Sequence, residues 1–188
     1  MILKGKKTIL RPLRMSDAPR FVKWLADPEV NKFANRHGVT LAEEKEWIRK
    51  AKKNKEEMSF AIDTKDGTHI GSLLFFPIEK DLGASFGISI GDKNYWGRGY
   101  GSDAINTILK YSFEKLKFHH VRLAGNGVFD YNPRAIRAYE KIGFVKEGLL
   151  RERFFYDGKY RNIIPMSILE SEWRKKNGKI YSKTKKLA

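Results

Sequence analysis

The sequence predicts an α+β protein, an α/β/α sandwich in which helices flank a mixed, mostly antiparallel central sheet. Three observations predict it. Residues 58–90 break into three β-like segments, two helical patterns then bracket a further strand, and a strand pair around Asp157-Gly158 closes the order.

Taken in order, residues 8–13 read as a strand, and Ser16-Asp17 opens a helical pattern with Phe21, Trp24 and Leu25 on one face. Asp27-Pro28 ends it. Thr40 and Glu43 form a capping-box pattern at the head of a charged helix reaching Asn54, with Trp47, Ile48 and Ala51 inward and the Lys, Arg and Glu residues on a solvated face. Strands follow over 58–64, 69–78 and 85–90, the first two joined by a turn at Asp66-Gly67. A helix over 100–116 is predicted from Ala104, Ile105, Ile108, Leu109, Phe113 and Leu116 at helical spacings. After a strand over 120–129, Asn132 caps a helix that has Pro133 at its first position and stops at Gly143. Residues 144–156 and 159–169 flank Asp157-Gly158, a pair suited to a two-residue type I′ turn.

Composition narrows the function. The 188 residues carry 38 Lys plus Arg against 22 Asp plus Glu, a net charge of +16, so the surface should attract anions. There is no cysteine, which removes disulfides, thiolate metal sites and cysteine nucleophiles. No apolar run approaches the ~20 residues of a membrane span, and the first residues lack a signal-peptide core. The expectation is a cytoplasmic protein with no membrane partner. With no repeat or linker, one domain is expected over 1–171. A basic tail follows over 172–188, seven cations against Glu172, able to grip RNA or an acidic partner but more simply read as a frayed and solvated terminus.

Two stretches carry chemistry. In Trp96-Gly97-Arg98-Gly99-Tyr100-Gly101-Ser102 three alternate glycines lead into a helix, where free N–H groups of the first turn favour an anion such as a pyrophosphate. Residues 99–104 also match a dinucleotide fingerprint, but no strand directly precedes Gly99, and residues 119–125 hold no acid. Gly87-Ile88-Ser89-Ile90-Gly91 matches a serine-hydrolase pattern, yet its two β-branched isoleucines favour a strand and no helix follows directly. Histidines 37, 69, 119 and 120 suggest no metal site, since adjacent His119 and His120 on a strand face opposite ways. In the second stretch, Asn132, Ala135 and Tyr139 share a helical face that can present an amide, a gap and a phenol; an ordinary capped helix with Ile136, Tyr139 and Ile142 in the core fits equally.

The glycine loop followed by Asn-Pro-x-Ala-x-x-x-Tyr-Glu-Lys-x-Gly-Phe over 132–144 resembles the GNAT superfamily of acetyl-CoA-dependent N-acetyltransferases. Residues 147–155 and 157–162 are similar to the closing hairpin of its RimJ/RimL-like ribosomal-protein acetyltransferases and of bacterial spermidine acetyltransferases. Arg11-Pro12-Leu13-Arg14 with Ser16-Asp17 is similar to that branch's opening. The resemblance implies acetyl-CoA as cosubstrate, its pantetheine along Ile88, Ser89 and Ile90 and its pyrophosphate at Trp96, Gly97, Arg98, Gly99, Tyr100, Gly101 and Ser102. Asn132 and Ala135 would border it, Tyr139 would be the proton donor, and no metal is implied.

The implied reaction is N-acetylation of a primary amine by direct attack in a ternary complex. Where many relatives place carboxylates, this chain has Ala84-Ser85-Phe86 and Gly125-Asn126-Gly127, which leaves Glu152 or water as base. The positive charge favours a protein or peptide N-terminal amine over spermidine and suits proximity to the ribosome or RNA, in a monomer or homodimer. The alternative of another class is a non-catalytic RNA-binding module with this fold.

Overall fold

The computed structural model describes residues 1–33, 36, 38–79 and 82–184, so His37 lies outside the described residues. They form two compact units, one from Met1–Pro77 with Phe86–Tyr111 and one from Ile78–Ser85 with Ser112–Ala188. Among the described residues no helix is long and apolar enough to cross a membrane.

In the first unit, β1 (Leu3–Lys4), β2 (Thr8–Pro12), β3 (Met58–Thr64), β4 (His69–Glu79, to Pro77 here) and β5 (Gly83–Ile90, from Phe86 here) lie side by side in that order. β1 to β4 pair antiparallel, with Leu10 opposite Ile62 and Ala61 opposite Ser72. A 3-10 turn at Met15–Asp17 leads into α1 (Ala18–Ala26), and Asp27 caps a short α2 (Pro28–Asn31) through the Glu29 N–H at 2.9 Å, so the Asp-Pro pair restarts a helix rather than only stopping one. α3 (Leu41–Lys53) opens with the predicted capping box. Phe21 and Ile48 bury with Leu13, Ala18 and Ala61, and Trp24, Trp47 and Ala51 pack around them. One acid departs from the solvated face: Glu44 is 1% exposed, and burial raises its pKa although Arg36 Nη2 lies 3.1 Å away.

Beneath β2 lies a buried ionic cluster. Arg11 grips Asp17 through two bonds of 2.8 Å and Asp63 through one of 2.6 Å, and His69 Nδ1 stands 3.5 Å from Asp17. Removing the guanidinium would strand two buried carboxylates, at a cost of about 3–5 kcal/mol.

α4 (Tyr100–Glu114) buries Ala104, Ile105, Ile108 and Leu109 as predicted, but ends two residues early, and Lys117 turns the chain at φ +59°. In the second unit, residues Gly83–Ser85 of β5 are followed across the sheet by β6 (His120–Leu123), β11 (Met166–Leu169) and β8 (Val145–Lys146). A smaller sheet holds β7 (Val128–Phe129), β10 (Lys159–Ile164) and β9 (Leu150–Tyr156).

The expected continuous strand over 120–129 is therefore two strands in different sheets. Gly125, Asn126 and Gly127 all adopt positive φ, and a Cβ on Gly127 would collide with the Ile164 carbonyl. The closing segments divide as well: Pro165, with no N–H to give a ladder, separates β10 from β11. α5 (Pro133–Ile142) follows its signals at both ends, with Gly143 at φ +123°. The segment set apart by its charge continues as α6 (Glu170–Thr184), in which Trp173 is buried against Phe113 with ring centres 5.4 Å apart.

Candidate active site

The glycine stretch lies in the first unit, where β5 runs out and α4 begins. Ser89 is exposed on β5 between half-buried Ile88 and Ile90, at an ordinary backbone conformation, so the sharp turn a serine nucleophile needs is absent there. A 3-10 turn at Lys93–Tyr95, capped by Asp92 through Asn94 N–H at 3.1 Å, leads to half-buried Trp96. The Trp96 indole N–H donates to the Ile90 carbonyl at 2.6 Å and ties the loop back to the strand. Gly97 and Gly99 take φ of +72° and +82°, conformations that favour glycine, and no atom stands within 4 Å of a Cβ built on Gly97. Gly97, Arg98 and Gly99 are exposed, while Tyr100, Gly101 and Ser102 are half-buried in the first turn of α4. The first amides of a helix have no partner within it, and the helix dipole adds to them, so this turn favours an anion.

Residues outside the motif complete it. The Asp103 carboxylate accepts from the backbone N–H groups of Lys6, Lys7 and Thr8 at 2.8–2.9 Å and from the Thr8 hydroxyl at 2.7 Å. This holds the β1–β2 turn against the helix start. Lys7 Nζ then donates to the Arg98 carbonyl at 2.9 Å and lies 5.5 Å from the centre of the Tyr100 ring. Sequence reasoning missed Asp103 and Lys7. An acid in a helix's first turn was visible, but its partners lie some 95 residues away.

The second stretch lies in the second unit. Asn132 is the N-cap of α5, and its Oδ1 accepts from the Ala135 N–H at 3.2 Å, so the carbonyl half of the amide is spent on the helix. Ile136 and Ile142 enter the core as the capped-helix reading expects, whereas Asn132, Ala135 and Tyr139 are half-buried. Burial pushes the Tyr139 hydroxyl up to about 12, and its ring meets Phe144 edge-on at 5.6 Å.

Beside the start of α5 stands an aromatic layer that the sequence did not announce. Tyr131 and Tyr156 stack 3° from parallel at 5.1 Å, with Phe129 and Phe154 alongside and the Arg161 guanidinium 5.3 Å from the Tyr131 ring centre. Burial first, then the neighbouring Tyr156, raises Tyr131 to about 12. Asp130 Oδ2 accepts from the Asn162 N–H at 3.1 Å, and the Asn162 side-chain oxygen accepts from the Glu152 N–H at 3.0 Å. The His119 and His120 ring centres are 6.3 Å apart, and no metal-binding group of three or more His, Cys, Asp or Glu occurs among the described residues.

The first stretch offers amides and cations to an anion, and the second a half-buried phenol. The acetyltransferase (GNAT) domain family matches residues 7–145. An uncharacterized N-acetyltransferase p20 of Bacillus licheniformis is 27% identical over 91% of this chain and 97% of its own length. Spermidine N(1)-acetyltransferase of Vibrio cholerae is 42% identical over 41% of this chain and 43% of that protein. Among solved structures, a GNAT-family acetyltransferase from Bacillus anthracis shares the fold at TM-score 0.79 and 21% identity, covering 92% of this chain and all of that one. V. cholerae spermidine N-acetyltransferase, solved with CoA and spermine, has TM-score 0.78 at 28% identity over 88% of this chain and 97% of its own.

Proposed function

The chain belongs to the GNAT acetyltransferase family and is an acetyl-CoA-dependent N-acetyltransferase, and from that premise we propose that its acceptor is a peptide or protein N-terminal amine, as in the RimJ/RimL-like branch. The observation that carries the cosubstrate site is the positive-φ glycine turn opening α4 with Lys7 beside it. The pyrophosphate of acetyl-CoA rests on the amides from Gly97 to Ser102, and its pantetheine runs along Ile88, Ser89 and Ile90. The neutral amine attacks the thioester carbonyl, the C–S bond breaks, and the Tyr139 hydroxyl supports the leaving thiolate as it gains its proton. The amine's own proton leaves to Glu152 or to water.

An N-terminal amine with pKa ~7.8 is partly neutral at pH 7, whereas a lysine-type amine near ~10.4 is almost wholly charged, so the first is easier to activate. The net charge of +16 also repels polycations. A polyamine is the second reading, supported by the likeness to the enzyme solved with spermine.

Calorimetric titration with acetyl-CoA, with ADP and RNA oligomers as controls, tests the cosubstrate site; thiol release with N-terminal peptides and spermidine tests the acceptor. Selective micromolar binding and peptide acetylation are expected. Acetyl-CoA binding no better than ADP, with tight RNA binding, would replace this reading with a basic RNA-binding module.

A further inference from the structure

β9 and β10 border an open groove of about 600 Å³ lined by Leu149, Leu150, Arg151, Glu152, Arg153 and Asn162. Its shape comes from a break in the ladder. Arg161 pairs with Phe154 and Ile163 with Leu150, so Asn162 alone faces Arg151, Glu152 and Arg153. Such a bulge re-aims side chains. On a regular strand Arg151 and Arg153 would point to one face and Glu152 to the other, yet all three line one groove.

The break lies at Glu152, whose φ of +53° is a left-handed conformation that disfavours a non-glycine residue. Asn162 holds it there through the bond from the Glu152 N–H, and is itself fixed from behind. Its N–H reaches Asp130 Oδ2, and its carbonyl accepts from the Asp130 N–H at 3.1 Å. Asp130 lies two residues before the cap of α5, so the groove is tied to the start of the helix that carries Tyr139. Backbone strain of this kind persists only where the surroundings over-determine it, and such positions cluster at ligand sites.

The charges then say which ligand. Two exposed arginines and one exposed glutamate share the lining with two leucines, and among the described residues none of the three is in an ion pair with another residue. A polyamine would meet two like charges there. We propose that the groove selects the acceptor by charge: Glu152 receives the amine, Arg151 and Arg153 receive an anionic group on the same molecule, and the preferred acceptor is the N-terminus of an acidic peptide.

This inference rests on the acetyl-transfer reading, and its test separates the two. Thiol release from acetyl-CoA is measured with an acidic-N-terminal peptide, the same peptide with its acids replaced by amides, and spermidine. The wild type should favour the acidic peptide over the neutral one in kcat/KM by about tenfold or more, chiefly through KM, as loss of one charge-assisted contact implies. In the double variant Arg151→Ser, Arg153→Ser that ratio should fall toward one. In Arg151→Glu, Arg153→Glu it should invert and spermidine should gain. Both sites are exposed, and a thermal melt confirms that the variants fold. A ratio unchanged by either variant, or a wild type that prefers spermidine, overturns the charge selection while acetyl transfer stands. Thiol release with none of the three acceptors overturns both.

Discussion

Replacing Tyr139 by Phe removes one oxygen from a half-buried ring and leaves the contact with Phe144 in place. With the phenol held at about 12 by burial, the ionised fraction at pH 7 is on the order of one in 10⁵. The hydroxyl is therefore present as a donor throughout any ordinary assay. Handing its proton fully to a thiolate of pKa ~8.5 would be uphill by ~3.5 units, about 5 kcal/mol. Complete transfer before bond breaking is thus too costly. On the proposed role of Tyr139, its hydrogen bond would instead strengthen as charge develops on sulfur.

Acid catalysis of this kind contributes about 10²- to 10⁴-fold, and because the transfer is uphill the lower end is expected: kcat falls about 10²-fold in Tyr139→Phe. Acetyl-CoA affinity, read by calorimetry, should barely change. The pH profile gives the sharper test. A donor works only below its pKa, so wild-type kcat should show no loss assignable to Tyr139 up to about pH 10.5. A basic limb near pH 10 present in the wild type and absent in the variant would refute the burial argument, and unchanged turnover would remove Tyr139 from the mechanism.

Other consequences concern the loop and its supports. Gly101 has ordinary backbone angles, and a Cβ there meets only Ile90 at 3.6 Å, so Gly101→Ala should fold with up to ~1 kcal/mol of added helix stability while weakening acetyl-CoA binding. Gly99→Val adds strain at φ +82° and should weaken binding further; normal titrations for both folded variants would move the phosphate site elsewhere. Asp103→Ala leaves the fully buried Thr8 with two donors unmatched, a loss of about 2–5 kcal/mol in urea unfolding. A loss below about 0.5 kcal/mol would show that the β1–β2 turn needs no such tie.

Acid should destabilise the fold in two stages. Burial lowers the His69 pKa, so below ~6.5 the unfolded chain takes up a proton that the folded one refuses, and stability falls with pH from there. For Asp17, burial alone would raise the pKa, but the bonds from Arg11 and the Arg14 N–H prevail and lower it, so a second loss begins below ~3.9. Melting temperatures measured from pH 8 to 3 check both stages, and His69→Gln should shrink the first to the part owed to His120, whose pKa burial also lowers. A melting temperature that stays flat or rises from pH 7 to 5 in the wild type would contradict the sign.

Elements whose code is local were legible in the sequence. The capping box at Thr40 and Glu43, the Asn132-Pro133 start and Gly143 stop of α5, and the Asp157-Gly158 turn at φ +53° and +70° each depend on a few adjacent residues. So did the glycine entry to α4 and the helical spacing that brings Asn132, Ala135 and Tyr139 near one another. What the residues' own chemistry dictates within one or two turns can be read along the chain.

The remainder depends on partners far away in sequence. Whether residues 120–129 stay one strand is decided by the approach of Gly127 to Ile164, not by their β propensity. Asp103 is an ordinary first-turn acid until the turn at Lys6 to Thr8 meets it, and Glu44 belongs to a solvated face until its neighbours bury it. Glu152 alternates with its neighbours on paper, and only Asn162, anchored on Asp130, bends it into the groove. By itself the sequence determined the fold class, the capped helices and the positive-φ glycine entry to α4, because hydrophobic period and backbone preference act over short range. Tertiary structure alone decided which acids are buried, which strand changes sheet and which charges share a groove, because desolvation and cross-strand pairing depend on what folds on top.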